Sequence, residues 1–314
     1  MEELYIQYTV DSDTLWHCKP NQDVIRPSNS IHYRINSEGL RGSDFPVEKI
    51  EGERRLLTIG DSVTFGHLVS EGYDYPHLLE KFLQKELDDP SFRVINGGVD
   101  AYSTREELLF IRKKGIGYDP DIVVFGFVLN DASVYAREYQ LNRFREILAA
   151  GERSGDQSRV KRFLTRSHFV RAFDYLLRKV IPGEDSFEDL RAKRDLLNRD
   201  IMYLDSEEAI REWKIAIDEL AEVKHLLGSN GISLMLVAFP SRYQLEEAPI
   251  PDAPQERLKE FSEKNGILFL DLLPVFVDHE WNRFFIDDVH LSPEGNAFVA
   301  EEVGMFLIEN GFLK

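Results

Sequence analysis

The chain has little sulfur, a deficit of positive charge and no long apolar run. Cys18 is its only cysteine, which excludes an internal disulfide and a thiolate metal site and leaves the redox compartment open. Lysine and arginine number 38 against 56 aspartates and glutamates, a formal net charge of −18. That balance argues against a surface made to hold phosphate polymers, so no nucleic-acid partner is expected. No apolar run reaches the roughly 20 residues that span a bilayer. The opening "MEELYIQYTVDSD" lacks both the basic and the apolar region of a signal peptide. Localisation stays open between the cytoplasm and a cell envelope reached through a leader or anchor missing from this chain. What is present suffices for a full core: 314 residues, 43% of them hydrophobic.

From about Arg54 onward, short β-rich runs alternate with helical periodicity, the pattern of an α/β fold with a parallel sheet. Five strands are expected, in "RRLLTIG", "FRVIN", "PDIVVFGFVLND", "ISLMLVAFP" and "ILFLDL". Helices are expected in "YPHLLEKFLQKEL", "REELLFIRKKG" and "PQERLKEFSEKNG". A further helix opens at Asp205 with Glu208 as a capping-box-like start and buries Ile210, Trp213, Ile217, Leu220 and Leu227. Residues 1–52 show no strong period and read as an N-terminal arm packed on a 53–314 domain. Residues from about 132 to 205 hold no convincing strand and read as a helical insertion. Within it, a basic amphipathic stretch over 158–182 suits either a membrane surface or an ordinary packed helix, and the packed helix is preferred.

In an open parallel sheet, ligands bind outside the carboxyl ends of the strands, where strand order reverses. With the first three strands ordered 2-1-3, three loops share that edge: Gly60-Asp61-Ser62, Asn96-Gly97-Gly98 and Asn130-Asp131. Ester cleavage needs a hydroxyl, a base, a group that orients the base and donors for the oxyanion. Ser62 supplies the hydroxyl and an amide at a helix start. Gly98 offers an amide that a substrate can approach closely, and Asn130 a side-chain N–H. His290 in "FFIDDVHLSPEGNAFVA" is the expected base, held before a helix by Ser292 as N-cap and Pro293 at N1. Asp287 is placed to accept from one ring nitrogen of His290 and leave the other facing Ser62. The remaining histidines, His67 among them, read as surface or core residues.

These four blocks, Gly60-Asp61-Ser62, Gly98 after Asn96, Asn130-Asp131 and Asp287-x-x-His290, resemble those of the SGNH/GDSL hydrolase superfamily of esterases and lipases. The resemblance implies a flavodoxin-like three-layer α/β/α sandwich. It also implies a Ser62–His290–Asp287 triad and an oxyanion hole from Ser62, Gly98 and Asn130. It covers roughly residues 54–314 less the insertion, and "YRINSEGLRGSDFP" looks like a segment that precedes the core in bacterial, often membrane-anchored members. One position departs: Val128 stands where the third block usually carries glycine. The Gly-x-Ser-x-Gly elbow of α/β-hydrolases is absent around Ser62.

The function expected is a serine esterase that removes small, acetyl-like groups from a small-molecule or carbohydrate ester without a cofactor. The alternatives are an O-acyltransferase acting on a carbohydrate with the same triad, a non-catalytic binding module, and a metal phosphoesterase using Asp61, Asp287, Asp288 and His290.

Overall fold

Five runs dominated by apolar side chains form one parallel sheet, because strands covered on both faces need no polar alternation. The computed structural model describes residues 6, 8–9, 16–26, 29–132, 201–204 and 206–312. Four short strands come first: β1 (Tyr8–Thr9), β2 (His17–Cys18), β3 (Gln22–Arg26) and β4 (Ile31–Ile35). The sheet proper is β5 (Arg54–Ile59), β6 (Phe92–Asn96), β7 (Ile122–Phe127), β8 (Ser233–Ala238) and β9 (Leu268–Asp271). Its order is β6-β5-β7-β8-β9, with every pairing parallel. All five strands fall where the sequence places them, and the order reverses at β5, whose carboxyl end carries Ser62.

The helices are α1 (Ser62–Phe65), α2 (Tyr75–Glu86), α3 (Thr104–Lys113), α4 (Glu207–Ser229), α5 (Arg242–Glu246), α6 (Ala253–Asn265), α7 (Leu272–Val277) and α8 (Pro293–Glu309). Successive strand side chains point to opposite faces, so the sheet divides the core in two. Leu57, Val123, Phe125 and Leu236 pack with Leu108 of α3, Trp213 of α4 and Phe261 of α6. Leu56, Val124, Met235 and Val237 pack with Leu79 of α2, Phe276 of α7 and Val303 of α8. The result is the three-layer α/β/α sandwich.

Two sequence expectations change. The N-terminal residues form antiparallel pairs, β1 with β2 and β3 with β4. The β3–β4 hairpin continues the sheet beyond its β6 edge, because Arg41 bridges Ile35 on one side and Asn96 on the other. Helix α4 is capped by Ser206, which accepts from the amide of Ala209, one residue beyond the expected cap. Its stripe rotates accordingly: Ala216 and Val223 are buried and Ile210 is 47% exposed. Most of the expected 132–205 insertion, including the basic 158–182 stretch, lies outside the described residues. At its margins Ala132 and Ile201 are buried, and the Trp213 indole donates to the Ile201 carbonyl.

Candidate active site

Strand β5 delivers Ser62 into a tight turn that its neighbours dictate. Asp61 is the N-cap of α1, its Oδ1 accepting from the Val63 amide at 2.8 Å. The helix stops after one turn because Gly66 adopts φ +79°, a left-handed conformation suited to glycine. Across the cleft, residues 285–291 fold into a small loop closed by a Phe285–Leu291 bridge, with the Ile286 amide donating to the His290 carbonyl. Ser292 caps α8 by accepting from the Gly295 amide, and Pro293 follows it at N1. This loop brings His290 Nε2 to 2.9 Å from Ser62 Oγ. The ring's Nδ1 lies 2.8 Å from Asp287 Oδ2, and Asp287 Oδ1 also accepts from the Val289 and His290 amides. An ionised carboxylate is an acceptor only, so Nδ1 carries the proton and Nε2 receives the serine hydroxyl.

The three expected oxyanion donors have different fates. Asn130, in the turn over Leu129–Ala132, donates one N–H of its amide to Asp61 Oδ2 at 2.9 Å, beside Ser62. Gly98 stands at the same edge, but its amide donates to Asn96 Oδ1 at 2.9 Å. What the structure demands of Gly98 is absence of a side chain: a Cβ there would lie 2.3 Å from the Phe65 amide nitrogen. Ser62 contributes the first amide of α1, which has no partner within its own helix. Val128 is turned into the core. Its side chain is buried in the core cluster that holds Val63 and Phe239, and its amide donates to Asp131 Oδ2 at 2.8 Å.

Several residues to which sequence reasoning gave no role in the site hold this arrangement. The fully buried Arg41 side chain donates to the carbonyls of Phe65, Gly66 and Val69, which close α1 and the turn after it. It pairs with Asp74 at 3.5 Å and lies over the rings of Tyr33 and Phe65. Asn96 Nδ2 donates to the Thr64 carbonyl and to Asp74 Oδ1. Asn296 of α8 accepts from the Tyr75 amide and donates to the Leu291 and Ser292 carbonyls, tying the His290 loop to the start of α2. His67, read from sequence as a surface or core residue, packs its ring 4.8 Å from that of His290, and its Nδ1 lies 3.2 Å from Asp100 Oδ2. Asp100 follows Gly98 by two residues at the edge already singled out, and this was the one available signal.

Electrostatics differ across the site. Burial pulls the His290 imidazole down, but the hydrogen bond and charge of Asp287, with the charges of Asp61 and Asp100, outweigh it and raise its pKa above 6.5. Burial raises Asp287, yet its hydrogen bonds and the charge of His290 leave it lowered to about 2. Asp61 is raised, burial outweighing the bonds from Asn130 and Val63. Asp288, the remaining member of the suggested metal set, accepts from Tyr243 Oη at 2.6 Å. Among the described residues no group of three or more His, Cys, Asp or Glu side chains is arranged to hold a metal ion.

A parallel α/β sheet whose carboxyl edge brings a serine, a histidine and an aspartate into contact has the layout of an ester-bond hydrolase. The chain belongs to the GDSL-like Lipase/Acylhydrolase family, which it matches over residues 58–298. It is an esterase or acylhydrolase of that family. Comparison with solved structures gives similarity at low sequence identity. A catalytic mutant of an acetylxylan esterase from Geobacillus stearothermophilus is 17% identical, with a TM-score of 0.50 over 84% of this chain and 96% of that one. A GDSL-like lipase from Bacteroides thetaiotaomicron is 16% identical, with a TM-score of 0.41 over 83% of this chain and 90% of that one. No curated protein matches the chain. Among the described residues no helix is long and apolar enough to cross a membrane.

Proposed function

We propose that the chain hydrolyses small acyl esters through a Ser62–His290–Asp287 triad and a covalent acyl-enzyme. The observation that carries this reading is the continuous hydrogen-bond chain from Ser62 Oγ to His290 Nε2 at 2.9 Å and from Nδ1 to Asp287 at 2.8 Å. Ser62 Oγ attacks the ester carbonyl while His290 takes its proton, and the imidazolium then gives that proton to the departing alcohol. Water adds to the acyl-enzyme with His290 as base again, releasing the acid and free Ser62. The negative oxygen is received by the Ser62 amide and Asn130, with the Gly98 amide contributing once it is shared away from Asn96. The acyl group is taken to be small, acetyl-like, as for the acetylxylan esterase whose fold the chain shares. Comparing acetyl with octanoyl esters tests that part.

Ser62→Ala is expected to lower kcat on a p-nitrophenyl acetate by at least about 10³-fold with the fold intact. A variant that keeps wild-type turnover refutes the triad. The base acts only when neutral, so kcat/KM falls on the acid side as His290 takes up a proton. Because Asp287 and its acidic neighbours raise His290, the midpoint of that limb is expected above 6.5. A pH–rate profile between about pH 4 and 9 reads it.

A further inference from the structure

The active site contains a second imidazole–carboxylate pair that the proposed triad does not use. His67 follows Gly66, so the left-handed turn that ends α1 also sets where His67 leaves the chain, and its amide donates to the Ser62 carbonyl at 2.9 Å. Its Nδ1 faces Asp100 Oδ2 at 3.2 Å, and its ring lies 4.8 Å from the His290 ring, inclined by 39°. Asp100 is fixed independently, since its carbonyl accepts from the Trp16 indole and Tyr102 Oη donates to the Trp16 carbonyl. The His67 side chain is 22% exposed and that of Asp100 11%. With Nδ1–H directed to the carboxylate, His67 Nε2 is left as a lone-pair acceptor, and it has no hydrogen-bond partner among the described residues.

We infer that His67 is a specificity-determining residue that accepts a hydrogen bond from the alcohol portion of the substrate, and that this alcohol carries a free hydroxyl on the carbon next to the ester oxygen. The inference rests on Ser62 and His290 acting as proposed above. In that reaction the leaving oxygen sits against His290 Nε2, because it must receive the proton held there. A ring packed directly on His290 therefore lies one substituent further along the alcohol. The group it meets must donate, since Nε2 there is an acceptor. A vicinal hydroxyl satisfies both requirements; a plain alkyl or aryl alcohol offers nothing to that nitrogen.

The test compares 2-hydroxyethyl acetate with 2-methoxyethyl acetate and ethyl acetate. The methoxy ester keeps the inductive effect of the second oxygen but cannot donate. For the wild type, kcat/KM for the hydroxy ester is expected to exceed that for either comparator by about 3- to 10-fold, the yield of one net hydrogen bond to a partly buried acceptor. In His67→Phe, which keeps a ring against His290, the ratio is expected to collapse to about one. The ratio is the readout because a general loss of activity does not move it. A wild-type ratio near one, or a ratio that persists in His67→Phe, overturns the inference. Labelling of Ser62 by a fluorophosphonate, run alongside, separates the two levels: without labelling the triad reading itself fails, whereas labelling with a ratio of one refutes only the role of His67.

Discussion

Two buried polar clusters flank the one-turn helix that carries Ser62, and they solve the same problem in opposite ways. On one side lie Arg41, Asp74, Asn96 and Asn296, none more than 5% exposed. The Arg41 cation meets carbonyls and the Asp74 carboxylate, and the Asn96 carboxamide donates to that same carboxylate. On the other side lie Asp61, Asp131 and Glu107, equally buried and all acidic. Both oxygens of Glu107 and Oδ1 of Asp131 accept no hydrogen bond from the described residues. A buried carboxylate without a cation lowers its free energy by taking up a proton. Burial first, then the mutual repulsion of these acids, raises Glu107 and Asp131 well above ordinary carboxylates. The first cluster is therefore held by charge pairing, whereas burial and mutual repulsion favour the neutral acid in the second.

Removing the cation should break the first cluster most severely. Arg41→Ala leaves Asp74 buried beside an empty space and removes the guanidinium donor from three carbonyls, of which that of Gly66 keeps the Val69 amide. Loss of one partner from a buried pair costs about 3–5 kcal/mol, and urea unfolding should read a drop of that size. Arg41→Lys restores the charge but not the planar fork, so it should recover only part of the loss. Full recovery would mean that charge alone, and not the geometry of the fork, holds the end of α1.

The acidic cluster should respond in the opposite sense. Glu107 has its folded pKa raised above 4.5. Its contribution to stability is thus fully present below the unfolded value and is lost as pH rises towards the folded one. Glu107→Gln keeps the shape of the neutral acid and removes the titration. Its stability relative to the wild type should improve with rising pH, by up to about 1.4 kcal/mol per pH unit while Glu107 alone titrates. Unfolding curves at several pH values give the slope. A gap between the two proteins that stays constant would show that Glu107 is ionised in the folded protein throughout.

The same contrast explains what could be read from the amino-acid sequence. The five core strands were legible because apolar runs bounded by turn residues have few other uses, and the first three take the common order 2-1-3 that was assumed for them. Ser62, Asp287 and His290 were legible because each sits in a turn whose caps are local: Asp61 for one and Ser292 for another. Arg41 was not, since an isolated arginine reads as surface and its partners lie 24 or more residues away. Glu107 was not, since in "TREELLFIRK" it looks like the solvated face of α3 and yet is fully buried. The β3–β4 hairpin was hidden by its half-buried alternation and polar residues, which give no strong period. His67 depended on Asp100, 33 residues on, which only the pairing of β5 with β6 brings alongside. Local chemistry was readable; long-range polar pairing was not.

The loop bearing His290 repeats the comparison on a smaller scale, with one tie inside and one outside. Inside, the buried Asn296 holds the carbonyls that follow His290. Outside, Tyr243 Oη donates to Asp288 Oδ2 at 2.6 Å, while the Arg242 amide donates to the Asp288 carbonyl. The outer bond competes with water at every moment, so its net worth is at the low end for hydrogen bonds, about 0.5–1 kcal/mol. Tyr243→Phe should therefore lower kcat/KM on a small acetyl ester no more than about 5-fold, with the loss in kcat rather than KM if the bond serves only to keep His290 in register. The Arg242–Asp288 backbone bond survives that substitution and limits how far the loop can shift. A loss above about 100-fold would show instead that the outer tie, not Asn296, sets the distance from His290 to Ser62.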